Sequence, residues 1–314
     1  MQFSVYQESH IGGRKVNQDR MGYSYSREAL LLVLADGMGG HLQGEMAATI
    51  TMQTMSGLFQ KNATPYVRKP ERFLEEAFLA AHREIHRYRA ANNLPDTPRT
   101  TVVACLIQHN SAIWAHCGDS RLYWVRRGQI LARTRDHSHI ETLIARGQVD
   151  PSERATHPDR NKLYNCLGAT SLPTVEVSRQ ASLQAGDVLM LCSDGLWSML
   201  SDEDITARLT TQTIVRAIPD MLKSATAIAG KTSDNATALA IMWQGGPDIE
   251  GQASVTAHLD SVISTQMLAE NLVNSTISEV PEKPAPVDAF NDAEIEKAIA
   301  EIRGAIEKSS QVLK

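Results

Sequence analysis

The run LLLVLAD (residues 30–36) is apolar at six successive positions and stops on an aspartate, followed at once by Gly-Met-Gly-Gly-His. A strand with no polar alternation fits a sheet covered on both faces, so the fold must supply a layer on each side of it. The same layout recurs. DVLMLCSD (187–194) ends on Asp194 before Gly-Leu-Trp, and Asp234 stands just before NATALAIMW (235–243). Asp119 sits in the Cys-Gly-Asp-Ser-Arg turn between SAIWAHC (111–117) and RLYWV (121–125). QFSVYQES (2–9) and TTVVACLI (100–107) are further strands, with hairpin connections at 108–110 and 118–120. Helical periodicity covers 44–59 and 70–91, with a third helix expected over 211–229. Strands grouped into meanders, with helices between the groups, predict antiparallel sheets covered by helices, an α+β fold.

One aspartate at a strand end is an ordinary turn former. Five beside buried strands, counting Asp19 in Arg-Lys-Val-Asn-Gln-Asp, are harder to explain that way. Gathering carboxylates away from water costs many kcal/mol unless cations neutralise them. Oxygen donors without His or Cys among them suit hard ions, Mg²⁺ or Mn²⁺, rather than Zn²⁺. Gly37 and the glycines at 39 and 40 let backbone approach such a site, so a carbonyl there is a further candidate ligand.

The order R-x-x-N-Q-D, A-D-G-M-G-G-H, G-D-S-R, D-H-S, C-S-D-G and D-N-A-T resembles the bacterial branch of the metal-dependent serine/threonine protein phosphatases (PPM, type 2C), over roughly residues 1–243. The resemblance implies a four-layer α-β-β-α sandwich with two central antiparallel sheets flanked by helices. It implies two to three Mn²⁺ or Mg²⁺ ions per chain: Asp36 bridging two, the Gly37 carbonyl on one, Asp194 and Asp234 on the first, Asp19 on the second, and Asp119 with Asp194 at a third. Arg14 matches the phosphate-binding arginine. The implied reaction is hydrolysis of phosphoserine and phosphothreonine by in-line attack of a metal-activated water. Its leaving group takes a proton from an acidic water or from His41, which stands later than the histidine that eukaryotic relatives place directly after Asp-Gly. Residues 137–170 resemble the flap segment beside the family's active site. Arg99 and Asn165 depart from the usual Gly and Arg of relatives, a difference that bears on substrate preference.

Other chemistries lack their residues. Asp-Glu-Asp-Ile-Thr (202–206) imitates a haloacid-dehalogenase motif, but Ser201 and Asp204 make it a helix-capping start. His82 and His86 share a helix face without the glutamate placement of a zinc protease, and are expected on a solvated surface. No cysteine opens a C-x₅-R loop, and the glycine-rich turn lacks the Lys-Ser/Thr of a nucleotide P-loop. The four scattered cysteines predict reduced thiols, and no secretory signal or membrane span is evident, so a cytoplasmic protein is expected.

Charge separates the chain of 314 residues into two parts. From Gly246 onward 12 acidic residues face 5 basic ones, a net of −7, which leaves about +2 for the first 245. A near-neutral body with an acidic tail speaks against non-specific nucleic-acid binding. The expected division is a catalytic domain over 1–245 and an acidic C-terminal extension over 246–314. In the extension, Leu259, Val262, Ile263 and Met267 outline one helix stripe, 279–286 a proline-rich spacer, and Ile295, Ile299, Ile302 and Ile306 a narrow apolar seam that could meet a protein partner. The expected substrate is a phosphoprotein, with a cognate Ser/Thr kinase implied by the family alone. The rival readings are a pseudophosphatase used as a binding or sensing module, or the same chemistry on an anti-sigma-factor antagonist.

Overall fold

The structure, a computed structural model, describes residues 1–38, 43–154, 157–160, 162–245 and 276–279. In chain order it runs β1 (Gln2–His10), β2 (Asp19–Tyr25), β3 (Ala29–Gly37), α1 (Gly44–Asn62), α2 (Pro70–Ala91), β4 (Thr100–Gln108) and β5 (Ser111–Cys117). There follow β6 (Arg121–Arg126), β7 (Gln129–Arg133), α3 (His139–Ala145), β8 (Glu176–Val177), β9 (Ala181–Ser182) and β10 (Val188–Cys192). The last elements are α4 (Asp194–Trp197), α5 (Asp202–Thr211), α6 (Ile214–Ala229), β11 (Ala236–Gly245) and β12 (Thr276–Glu279).

The strands form two sheets, one ordered β1-β11-β10-β6-β7 and the other β12-β2-β3-β4-β5-β8, with β9 also on β5. The apolar run in β3 shows why there are four layers. Leu31, Val33 and Ala35 pack against Met52, Met55 and Phe59 of α1 and Leu74 and Phe78 of α2. Leu30, Leu32 and Leu34 face the other way, onto Leu122, Leu189, Leu191, Leu239 and Ile241 of the first sheet. Each such leucine contributes about 2 kcal/mol by leaving water. The outer face of the first sheet is covered by Ile205 and Leu209 of α5 and Ile218, Met221 and Leu222 of α6. The expected α-β-β-α sandwich is therefore the observed one.

Helix α2 forms because proline stands in its first turn, Glu71 and Arg89 complement its dipole, and Phe73, Leu74, Ala77, Phe78, Ala81 and Ile85 recur on one buried face. Ser201 caps α5, its hydroxyl accepting from the Asp204 N–H at 3.1 Å, as its spacing predicts. The helix expected over 211–229 is α6, which starts three residues later, at Ile214, because the chain is extended at Gln212 and Thr213 where α5 ends.

Among the described residues all strand pairings but one are antiparallel. The exception is β12, which runs parallel to β2 from Thr276 opposite Gly22 to Glu279 opposite Tyr25. A strand from the acidic extension thus closes the β2 edge of the second sheet, where no strand is expected from the sequence. The Leu259–Met267 stripe, the remainder of the spacer and the Ile295–Ile306 seam lie outside the described residues. Among the described residues no helix is long and apolar enough to cross a membrane.

Candidate active site

The five aspartates come from both sheets. Asp19 opens β2 and Asp36 lies near the end of β3, directly opposite each other in the antiparallel register. Asp119 occupies the turn between β5 and β6, Asp194 begins α4 just beyond β10, and Asp234 stands two residues before β11. Their carboxylates form one electrostatic cluster. Asp36 is held well above the usual carboxylate range, first by desolvation and then by each of Asp19, Asp194, Asp119 and Asp234. Asp194 is likewise raised by desolvation, then by Asp119, Asp234 and Asp19. Burial lifts Asp19 to about 6 and Asp119 to about 7, with Asp136 the next contributor at Asp119.

The residues around the aspartates are arranged to hold them. Ser193 donates its hydroxyl to Asp19 Oδ2 at 2.8 Å and accepts the Thr237 N–H at 3.0 Å, tying the second sheet to the first. Asn17 Oδ1 accepts the Asp19 N–H at 3.0 Å. Asn235 clamps the 11–18 loop: its Oδ1 accepts the Gln18 N–H at 2.8 Å, and its Nδ2 donates to Ile11 O at 2.9 Å and Val16 O at 3.2 Å. These roles of Ser193, Asn17 and Asn235 were missed in the sequence, although each stands next to or near an aspartate in a quoted motif.

Gly37 sits where backbone must pass close. Its N–H donates to Gln18 O at 3.1 Å, and a Cβ would come within 2.4 Å of Gly44 O and 2.8 Å of Gln18 O. Arg14 reaches the cluster from the rim, with Nη2 donating to Asp234 Oδ2 at 2.5 Å while half its side chain stays in solvent. His41 lies outside the described residues.

Two observations test whether this donor set suits divalent cations. Asp19 Oδ1 is buried without a hydrogen-bond partner, which is costly for a carboxylate unless a cation meets it. The donors are also oxygen only, the preference of Mg²⁺ and Mn²⁺. The residues fit. A second group of donors, His116, His137 and Glu176, lies elsewhere among the described residues, its donor atoms within 4.8 Å of one another.

The sequence placed His82 and His86 on a solvated face, and this is corrected. His82 is buried, its Nδ1 accepts the Gly168 N–H at 3.2 Å, and His86 Nε2 pairs with Ala169 O at 2.9 Å. The pair docks the end of the flap-like segment on α2.

Known proteins resemble this chain in sequence and in fold. The protein phosphatase 2C family profile matches residues 6–228. A putative protein phosphatase 2C-type from Streptococcus pyogenes is 32% identical over 197 residues, 62% of this chain and 79% of that one. The serine/threonine protein phosphatase PstP of Mycobacterium tuberculosis is 31% identical over 209 residues, 67% of this chain, although the match spans only 39% of PstP. The crystal structure of Stp1 from Staphylococcus aureus superposes with a TM-score of 0.70 at 28% identity, covering 78% of this chain and 96% of that one. The catalytic domain of PstP in complex with two manganese ions gives 0.64 at 27% identity, covering 76% and 97%. The chain belongs to the protein phosphatase 2C family.

Proposed function

We propose that this chain hydrolyses phosphoserine and phosphothreonine in proteins with the help of two to three Mn²⁺ or Mg²⁺ ions. The observation that carries the reading is the convergence of five strand-end aspartates from both sheets, one of them with a buried, unpartnered oxygen. Asp19, Asp36, Asp119, Asp194, Asp234 and the Gly37 carbonyl would hold the ions. Such ions, when bound, supply a nucleophilic water at neutral pH and neutralise the phosphoryl oxygens. The chain's own residues do the rest. Arg14 offers a planar fork of donors to a phosphoryl group from the rim, and its pairing with Asp234 keeps that fork directed at the cluster. Ser193 and Asn235 fix Asp19 and the Arg14 loop, so the donors need not be ordered when substrate arrives. His41 remains the candidate proton donor to the leaving alkoxide.

A cytoplasmic phosphoprotein substrate, a cognate Ser/Thr kinase and a partner for the acidic extension complete the reading. So does the division into a catalytic domain over 1–245 and an extension over 246–314. Asp36→Asn tests the core of it. Turnover of p-nitrophenyl phosphate and of a phosphothreonine peptide with Mn²⁺ should fall about a hundredfold or more, while the chelator-treated variant stays folded because one repelling charge is gone. Wild-type rates that ignore chelator, or full activity in Asp36→Asn, would overturn the assignment. A correctly folded wild type inactive on every phosphoester would favour a binding module.

A further inference from the structure

His137 grips the turn that carries Asp119. Its main-chain N–H donates to Gly118 O at 2.9 Å, and its Nδ1 accepts the Gly118 N–H at 3.2 Å. Gly118 has no freedom to adapt: its φ of +114° suits glycine, and a Cβ there would come within 2.4 Å of Thr101 Cβ. Nδ1 accepts a second, shorter bond from Asn165 Nδ2 at 2.7 Å. The Asn165 amide cannot turn over without loss, because Oδ1 accepts the Thr174 N–H at 3.1 Å and Nδ2 also donates to Thr174 O at 2.7 Å. Since Nδ1 accepts twice, the ring proton sits on Nε2 and faces Glu176 Oε2 at 3.2 Å.

Asn165 belongs to the returning stem of the flap-like segment, and that stem is fastened at several points. Tyr164 N–H donates to His137 O at 3.1 Å, Leu163 bridges to Ser138, and Leu167 bridges to Thr100. His82 and His86 hold Gly168 and Ala169 on the far side. A continuous set of hydrogen bonds therefore leads from the stem through Asn165 and His137 to Gly118, one residue from Asp119.

The tautomer also decides against the obvious alternative, a cation held by His116, His137 and Glu176. His116 Nε2 faces Arg135 O at 2.7 Å, which leaves its Nδ1 ready as a ligand. His137 is not ready. A cation on Nε2 needs the proton moved to Nδ1, where it would meet the N–H donors of Gly118 and Asn165.

We propose that His137, set by Asn165, is a positioning residue that holds the Gly118–Asp119 turn and so couples cation binding at Asp119 to docking of the 163–169 stem. This rests on the reading of Asp119 as a metal ligand. Amide substitutions separate the two ring nitrogens, because the Asn oxygen overlies Nδ1 whereas the Gln terminus overlies Nε2. The experiment measures Mn²⁺ stoichiometry and affinity by electron paramagnetic resonance of the free ion. It also follows Mn²⁺ activation and KM for p-nitrophenyl phosphate. Both are done on the full chain carrying Asp119→Asn, His137→Asn, His137→Gln, His137→Ala or Asn165→Ala.

Asp119→Asn should abolish one class of Mn²⁺ binding and thereby identify it. His137→Ala and His137→Gln should weaken that same class about tenfold and Asn165→Ala by less, with His137→Asn close to wild type. KM at saturating Mn²⁺ should stay unchanged in the His137 variants. Unchanged Mn²⁺ affinity in His137→Gln and Asn165→Ala, or His137→Asn as impaired as His137→Ala, would overturn the coupling. If Asp119→Asn itself leaves Mn²⁺ binding intact, the reading of Asp119 is what fails. Should His137→Ala not fold, the Asn, Gln and Asn165 variants still discriminate.

Discussion

Ser193 Oγ lies 2.8 Å from Asp19 Oδ2, a hydrogen bond between residues 174 apart in sequence that joins the two sheets beneath the carboxylate cluster. Its donor is spent on one carboxylate oxygen while the other, Oδ1, has no protein partner. The hydroxyl also accepts the Thr237 N–H, so it serves two buried groups at once. Ser193→Ala leaves both without this partner. We expect a loss of about 2 kcal/mol in denaturant-induced unfolding, together with weaker Mn²⁺ binding because Asp19 is then harder to ionise. An unchanged midpoint would mean that water replaces the hydroxyl freely.

Much of this aspartate cluster is legible in the sequence, and the reason is physical. A strand with apolar residues on both faces has no choice but to lie inside a multilayer sandwich, and an aspartate at its end is exposed by contrast. β2 is harder to read, because Met21, Tyr23 and Tyr25 alternate with Gly22 and Ser24 over only five residues, and glycine there weakens the strand signal that pairing with β3 completes. The supporting residues Ser193, Asn17 and Asn235 were invisible for another reason. A polar side chain next to an aspartate looks like any turn residue until the loop it bonds to is known. His82 and His86 were misread because a helix face with two histidines is amphipathic either way, and only the returning stem decides which face is covered.

The raised carboxyls predict an inverted pH dependence for the metal-free protein. Asp119 near 7 and Asp19 near 6 keep their protons in the fold at pH values where the unfolded chain, with carboxyls near 4, has lost them. The folded state then binds more protons, so this contribution to stability falls as pH rises from about 4 to about 7 and stays lost above. In chelator, Asp119→Asn should be more stable than wild type by about 2 kcal/mol at pH 8, the gap closing toward pH 5. Excess Mn²⁺ should reverse the order at pH 8, since the ion binds the ionised wild-type carboxylates. Thermal melts of both proteins across that range check it. Parallel curves in chelator would show that the cluster does not carry the strain its burial implies.

Arg14 is bound to Asp234 and yet half exposed, a combination that suits a residue shared between the site and an incoming dianion. Arg14→Ala removes a donor fork for the substrate dianion together with the hydrogen bond to Asp234 Oδ2, while every proposed metal ligand is itself retained. Because a charge-assisted bond to the dianion is worth about 1.5–3 kcal/mol, KM for p-nitrophenyl phosphate should rise about tenfold or more. The smaller share of the loss should appear in kcat, to the extent that the pairing strengthens in the transition state. Unchanged KM with lower kcat would instead make Arg14 a residue that only steadies Asp234.

The acidic extension carries the last prediction, because its strand β12 adds to the sheet that holds Asp19 and Asp36. β12 pairs with β2 only from Gly22 to Tyr25, whereas Asp19 and its register with Asp36 lie at the other end of β2 and are held by β3. Removing residues after Gly245 should therefore leave metal-dependent ester hydrolysis within about threefold of the full chain. It should also bare the outer backbone groups of β2, an open edge that invites pairing between copies. Sedimentation of the shortened protein should show more self-association than the full chain, with a modestly lower melting temperature. Loss of ester hydrolysis in a folded, monomeric truncation would place the extension inside the catalytic unit and move the domain boundary past 279.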